Sequence, residues 1–244
     1  MLRFTGKQSV EGRQSVGQRD NQEDDYRIVR IGLKDEQDPR SDVLMIVADG
    51  MGGHAGGEVA ARLACDAFER HFISVATATK PWSRLPESLD AANAAIRDRI
   101  RADPALKGMG CTLIGALKMG DRLSWVSVGD SILFLMRRGK LSRLNADHSL
   151  YGQFRDLVRA GKMEQSEADG RPKRNALRSA VMGGKIALVD RKDAKLESGD
   201  IVMLATDGLE SLSDDEITGV LARESGADIR VLAEDVLNAV EAKG

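Results

Sequence analysis

Apolar and polar positions fall into blocks along this chain, and each block predicts an element. Residues 25–31 and 43–48 are short apolar-rich runs that read as strands, with a polar loop over 35–40 between them. Val59, Leu63, Ala67, Phe68, Phe72 and Val75 recur at helical spacing and predict a helix over 58–75. Leu89, Ala92, Ile96 and Ile100 predict a second over 87–102, after a loop marked by Pro81 and Pro86. The texture then changes. Residues 112–118, 122–128, 132–137 and 140–144 read as four short strands, and Gly120-Asp121, Gly129-Asp130 and Arg138-Gly139 predict hairpin turns that make them one meander. Residues 150–180 are polar, weakly helical and rich in Arg and Lys. Strands follow at 186–191 and 200–205, then closing helices at 214–223 and 229–242, the second with Leu232, Val236, Leu237 and Val240 on one face. Strands in runs and helices in pairs predict an α+β fold of antiparallel sheet with helices packed outside. No linker-like stretch interrupts residues 1–244, which read as a single domain.

Composition narrows the class. The chain is 42% hydrophobic and 30% charged, enough for a real core. Its 36 basic and 38 acidic residues nearly cancel, so no basic excess points to nucleic acid. Cys65 and Cys111 are isolated and sit on apolar runs, which suits small core residues in a reducing, cytoplasmic setting. The N-terminal residues lack a signal-peptide core, and no apolar run approaches the ~20 residues a membrane span needs.

The candidate chemistry lies in carboxylates at strand ends. The strand at 43–48 delivers Asp49 into a turn with five glycines between residues 50 and 57. Such a turn lets the backbone approach a ligand closely. The run 201–205 likewise ends at Thr206-Asp207-Gly208, Arg19-Asp20-Asn21-Gln22-Glu23-Asp24 precedes the first predicted strand, and Asp130 lies between two others. Hard oxygen donors suit Mg²⁺ or Mn²⁺, whereas His54, His71 and His148 are scattered and argue against zinc. Converging acids repel one another unless cations sit among them, and a metal pair ~4 Å apart is a common use of such a cluster. Arg19 offers a planar fork for phosphate oxygens. Any one Asp-Gly after a strand is equally well an ordinary turn.

Taken in order, Arg19-x-x-x-Glu23-Asp24, Asp49-Gly50-Met51-Gly52-Gly53-His54, Gly110-Cys111-Thr112, Gly129-Asp130-Ser131, Asp147-His148-Ser149 and Asp207-Gly208 resemble the type 2C metal-dependent serine/threonine protein phosphatases in their compact bacterial form. The resemblance runs from about residue 8 to 243. It implies a four-layer sandwich of two antiparallel sheets flanked by helix pairs, with two Mn²⁺ or Mg²⁺ ions at one end. On that pattern Asp49 bridges both ions, Glu23 and the Gly50 carbonyl serve one, Asp207 serves the other, and Asp24 holds metal-bound water. Arg19 binds the substrate phosphate, and Asp130 matches the acid of a third, weaker metal site. A metal-held hydroxide then attacks phosphorus directly. The segment at about 150–180 matches the family's flap, where Arg155, Arg159, Arg171, Lys173 and Arg174 are either contacts for acidic partners or plain solvated surface. Phosphoprotein substrates, an opposing serine/threonine kinase pathway and a monomer are the implied setting.

Three features depart from the pattern. The family's closing Asp-Asn pair and last strand have no counterpart before Ala242-Lys243-Gly244. Ile132 stands where Arg is frequent, and Ser211, after Glu210, stands where many members carry Asp. Met51 occupies the position of a His found in some members, so that role does not pass to His54. These departures keep a second reading open, a pseudophosphatase that binds phosphorylated partners or regulates a kinase. A phosphatase for a small metabolite is a third.

Overall fold

The computed structural model describes residues 1–4, 9–31, 42–53, 56–75, 80–223 and 228–243. The predicted loop at 35–40 and His54 lie outside them. In chain order the elements are β1 (Leu2–Phe4), β2 (Ser9–Val10), β3 (Asp24–Ile31), β4 (Asp42–Met51), α1 (Gly56–Ser74), α2 (Arg84–Ala102), β5 (Gly110–Cys111), β6 (Leu113–Met119), β7 (Arg122–Val128), β8 (Ile132–Arg137), β9 (Lys140–Arg143), α3 (Leu150–Arg159), α4 (Gln165–Gly170), β10 (Asp190–Lys195), β11 (Asp200–Ala205), α5 (Asp214–Arg223) and α6 (Ile229–Glu241). One sheet runs β10-β7-β6-β4-β3 and the other β2-β1-β11-β8-β9, with antiparallel pairing throughout.

Residue parity explains the layers, because successive side chains on a strand point to opposite faces. On β4, Leu44, Ile46 and Ala48 join the core under α1 and α2, while Val43 and Met45 face the space between the sheets. On β8, Ile132, Phe134 and Met136 pack beneath α5 and α6 with Ile217, Leu221, Leu232 and Val236, while Leu133 and Leu135 point inward. Both faces are therefore covered, which is why these strands read as nearly continuous apolar runs. The result is the expected order of helices, sheet, sheet, helices. Gly115 of β6 leaves room for Phe68 of α1: a Cβ there would lie 2.2 Å from the Phe68 ring.

Two expectations need correction. Residues 122–144 are not one meander, because β7 and β8 belong to different sheets and Gly129-Asp130 carries the chain across the sandwich. A Gly-Asp pair looks the same in sequence whether the next strand pairs with the last or leaves it. The strand expected at 186–191 lies instead at β10; Ile186 and Val189 pack on the core without pairing, and the polar residues that follow form the sheet edge against β7. No element was expected at β1 and β2, which are too short for a periodic signal; β1 pairs with β11, and β2 with β1.

Candidate active site

β3 and β4 set up the centre of the site. Their antiparallel register places Asp24 directly opposite Asp49. The pairing extends one residue further to Glu23, whose carbonyl accepts from the Gly50 amide at 3.0 Å. Glycine is needed here, since a Cβ on Gly50 would lie 2.1 Å from the Gly57 carbonyl oxygen and 2.5 Å from that of Glu23. The Glu23 carboxylate lies against the first turn of α1, with Oε1 2.5 Å from where a Gly57 Cβ would stand. The positive end of a helix favours a carboxylate at that place. Arg19 reaches the same carboxylate at 3.7 Å and is otherwise largely exposed.

Asp207 arrives from the other sheet, and Asp130 from the connection between the two sheets. Asp207 follows β11, and its neighbour Thr206 donates Oγ1–H to Asp24 at 2.9 Å, tying the two sheets together at the site. Asp130 sits on the β7–β8 crossover. That crossover is held by a chain of contacts: Thr112 Oγ1 lies 2.6 Å from Ser131 Oγ and accepts from the Asp49 amide at 3.1 Å. Arg143 donates to the Asp130 carbonyl at 2.6 Å, and the buried His148 accepts from the Gly129 amide through Nδ1 at 3.3 Å. Thr112, Ser131, Thr206 and His148 were visible only as members of motifs; their positioning contacts span 19 to 182 residues of sequence.

Arg19, Glu23, Asp49, Gly50, Asp130 and Asp207 line one cavity of about 750 Å³, with residues 177–180 on its wall. Among the described residues no three His, Cys, Asp or Glu side chains close into a compact ligand cluster. The acids stand around the cavity, close enough to perturb one another. Burial, then Asp24, Asp207 and Asp130, push the Asp49 carboxyl up to about 8. Burial and Asp207 push Asp130 up to about 6. Asp24 is raised by burial, partly offset by the Thr206 hydrogen bond. The structure thus brings Glu23, Asp49, Asp130 and Asp207 to one cavity with Arg19, and places Asp24 beside Asp49 across the β3–β4 ladder.

The departures have local explanations. Ile132 is the first core residue of β8 under α5 and α6, so its side chain belongs to packing. Glu210 lies 3.7 Å from Arg143, near Asp130. Of the flap cations, Arg155 pairs with Asp147, Arg159 with Asp156 and Arg171 with Glu167, and Arg174 donates to the Asp169 carbonyl. None of these, nor Lys173, lines the cavity; Arg178 and Lys185 do. Both cysteines are buried, and burial pushes their thiols up, so neither is placed as a nucleophile. Among the described residues no helix is long and apolar enough to cross a membrane.

Comparison with known proteins agrees with this geometry. The protein phosphatase 2C family model matches residues 22–242. Over 174 residues, 71% of this chain, it is 34% identical to the serine/threonine protein phosphatase PstP of Mycobacterium tuberculosis, of which the match spans only 33%. The serine/threonine phosphatase stp of Listeria monocytogenes is 32% identical over 69% of this chain and 67% of its own length. The crystal structure of the PstP catalytic domain in complex with two manganese ions superposes with a TM-score of 0.70 at 28% identity, covering 91% of this chain and 92% of that one. Two antiparallel sheets, the ordered motifs and the acids that meet at their ends have one common explanation: this chain belongs to the protein phosphatase 2C family.

Proposed function

We propose that the chain hydrolyses phosphoserine and phosphothreonine esters in proteins with two divalent cations, Mn²⁺ or Mg²⁺. The observation that carries this reading is the meeting of Glu23, Asp49, Asp130 and Asp207 around one cavity, with Asp24 opposite Asp49 across the β3–β4 ladder and Asp49 pushed up to about 8. Carboxylates packed this way destabilise one another unless they hold cations. The donor set fits hard ions, being all oxygen with no cavity-lining His or Cys. Asp49, Glu23, the Gly50 carbonyl and Asp207 would hold the pair, Asp24 would act through water, and Asp130 would serve a weaker third ion. Such ions supply Lewis acidity and lower the pKa of a water.

The chain's own part is positioning and charge. Arg19, exposed at the cavity mouth beside Glu23, presents its guanidinium to two phosphate oxygens and offsets charge developing on them. Thr206 orients the Asp24 carboxylate, and the Thr112–Ser131 contact holds the Asp49 and Asp130 segments in register. The acids lining the cavity together with Arg19 favour hydrolysis over a module that only binds. We further read residues 1–244 as one catalytic domain with a flap at about 150–180, a monomer in the cytoplasm that opposes a serine/threonine kinase. The test is turnover of a small aryl phosphate with Mn²⁺, abolished by Asp49→Asn and by chelation. Full turnover in excess chelator would overturn the reading.

A further inference from the structure

The cavity has two chemically different sides. Around Asp49 it is acidic, but the stretch from Leu177 to Lys185 brings Arg178 and Lys185 to the same space. Neither cation has a side-chain hydrogen bond or ion-pair partner among the described residues. This sets them apart from Arg155 and Arg159 of α3 and from Arg171 and Arg174 after α4, which are engaged by acids or carbonyls of their own neighbourhood.

The stretch is also held in place at several points. The Arg178 amide donates to the His148 carbonyl at 2.8 Å, and Val181 and Cys111 exchange backbone hydrogen bonds at 2.9 and 3.0 Å. Ser179 Oγ donates to the Leu188 carbonyl at 2.8 Å. Further along, Asn93 of α2 clamps the turn, accepting from the Gly183 amide at 2.8 Å and donating to the Gly184 carbonyl at 2.7 Å. Gly183 has φ +79°, and a Cβ there would lie 2.6 Å from the Arg97 backbone, so the turn has little room to shift. Two cations with no side-chain partner among the described residues, carried on fixed backbone, are prearranged for an anion brought by a ligand.

We propose that Arg178 and Lys185 form a subsite that selects phosphopeptides with Asp or Glu close to the phosphorylated residue. The proposal deepens the phosphatase reading, and rests on it for catalysis though not for binding. The acids around Asp49 disfavour extra negative charge near the reaction centre, so an acidic flank is admitted only where these two cations receive it. The selection is electrostatic and weakens with salt.

The experiment compares two phosphothreonine peptides that differ only in Glu against Gln at flanking positions, in wild type and in Arg178→Gln/Lys185→Gln. With Mn²⁺ at low salt, wild type is expected to favour the Glu peptide about fivefold to tenfold in kcat/KM, as two exposed ion pairs would give. The preference falls to about one in the double variant. Equal kcat/KM for both peptides in wild type, or a preference that survives the double substitution, overturns the proposal. If neither peptide nor an aryl phosphate turns over, the catalytic reading fails instead. Fluorescence anisotropy of the same peptides, labelled, then decides the subsite: tighter Glu-peptide binding lost in the double variant supports it, and equal binding overturns it.

Discussion

Asp24 and Asp49 face each other directly across the β3–β4 ladder, two carboxylates in cross-strand register at a half-buried position. Like charges directly opposite weaken a sheet by up to ~1 kcal/mol, and burial adds to the cost. A fold that keeps this pair gives up stability at the place where it gains a use for negative charge.

The first prediction follows directly. Asp24→Asn removes one charge while leaving an oxygen for Thr206, so in chelator it should melt a few degrees above wild type, as ~1 kcal/mol would give. Addition of Mn²⁺ should raise the melting temperature of wild type more than that of the variant, since ligand binding stabilises the folded state by mass action. Differential scanning calorimetry with and without Mn²⁺ measures both.

The pH dependence has a definite sign. Asp49 is raised to about 8 and Asp130 to about 6 in the folded chain, above the ordinary carboxylate value of ~4. The folded state therefore holds protons that the unfolded chain releases. The stability this contributes is complete below pH ~4 and is lost as pH rises through about 6 and then about 8. Chelator-treated protein should lose stability to urea from pH 5 to 8. Mn²⁺ should bind more tightly over the same range and release protons, which calorimetry in buffers of different ionisation heat detects.

Gly50→Ala tests the close approach at the turn. Its Cβ meets two backbone oxygens, of Gly57 and Glu23, which cannot swing away as a side-chain end could. We expect a loss of ~1–3 kcal/mol and impaired Mn²⁺ binding. Gly53→Ala, with nothing within 4 Å of the added carbon, should behave as wild type in both urea melts and Mn²⁺ titrations.

Arg19→Ala should lower kcat/KM for phosphopeptides by ~10²-fold or more, in the range found when a transition-state charge partner is removed. Arg19→Lys should restore little, because a point charge cannot engage two oxygens through a planar fork. Single-turnover rates alongside steady-state kinetics separate lost binding from lost chemistry. Thermal melts should barely change, since the side chain is largely exposed.

Much of this molecule was legible in one dimension. Helical spacing marked α1, α2 and α6 because each buries one stripe against a sheet, and the ordered acids with Arg19 pointed to the family. Those features are local or need only order along the chain. What the tertiary structure decided are relations between distant segments: that Gly129-Asp130 crosses between sheets, that β10 is a polar edge, and that Thr206 reaches Asp24. It also decided which cations beyond Arg19 reach the cavity, Arg178 and Lys185 rather than Arg155, Arg159, Arg171 or Arg174. Periodicity reports whether a residue is buried, but the partner it is buried against is set only when two sheets close on each other.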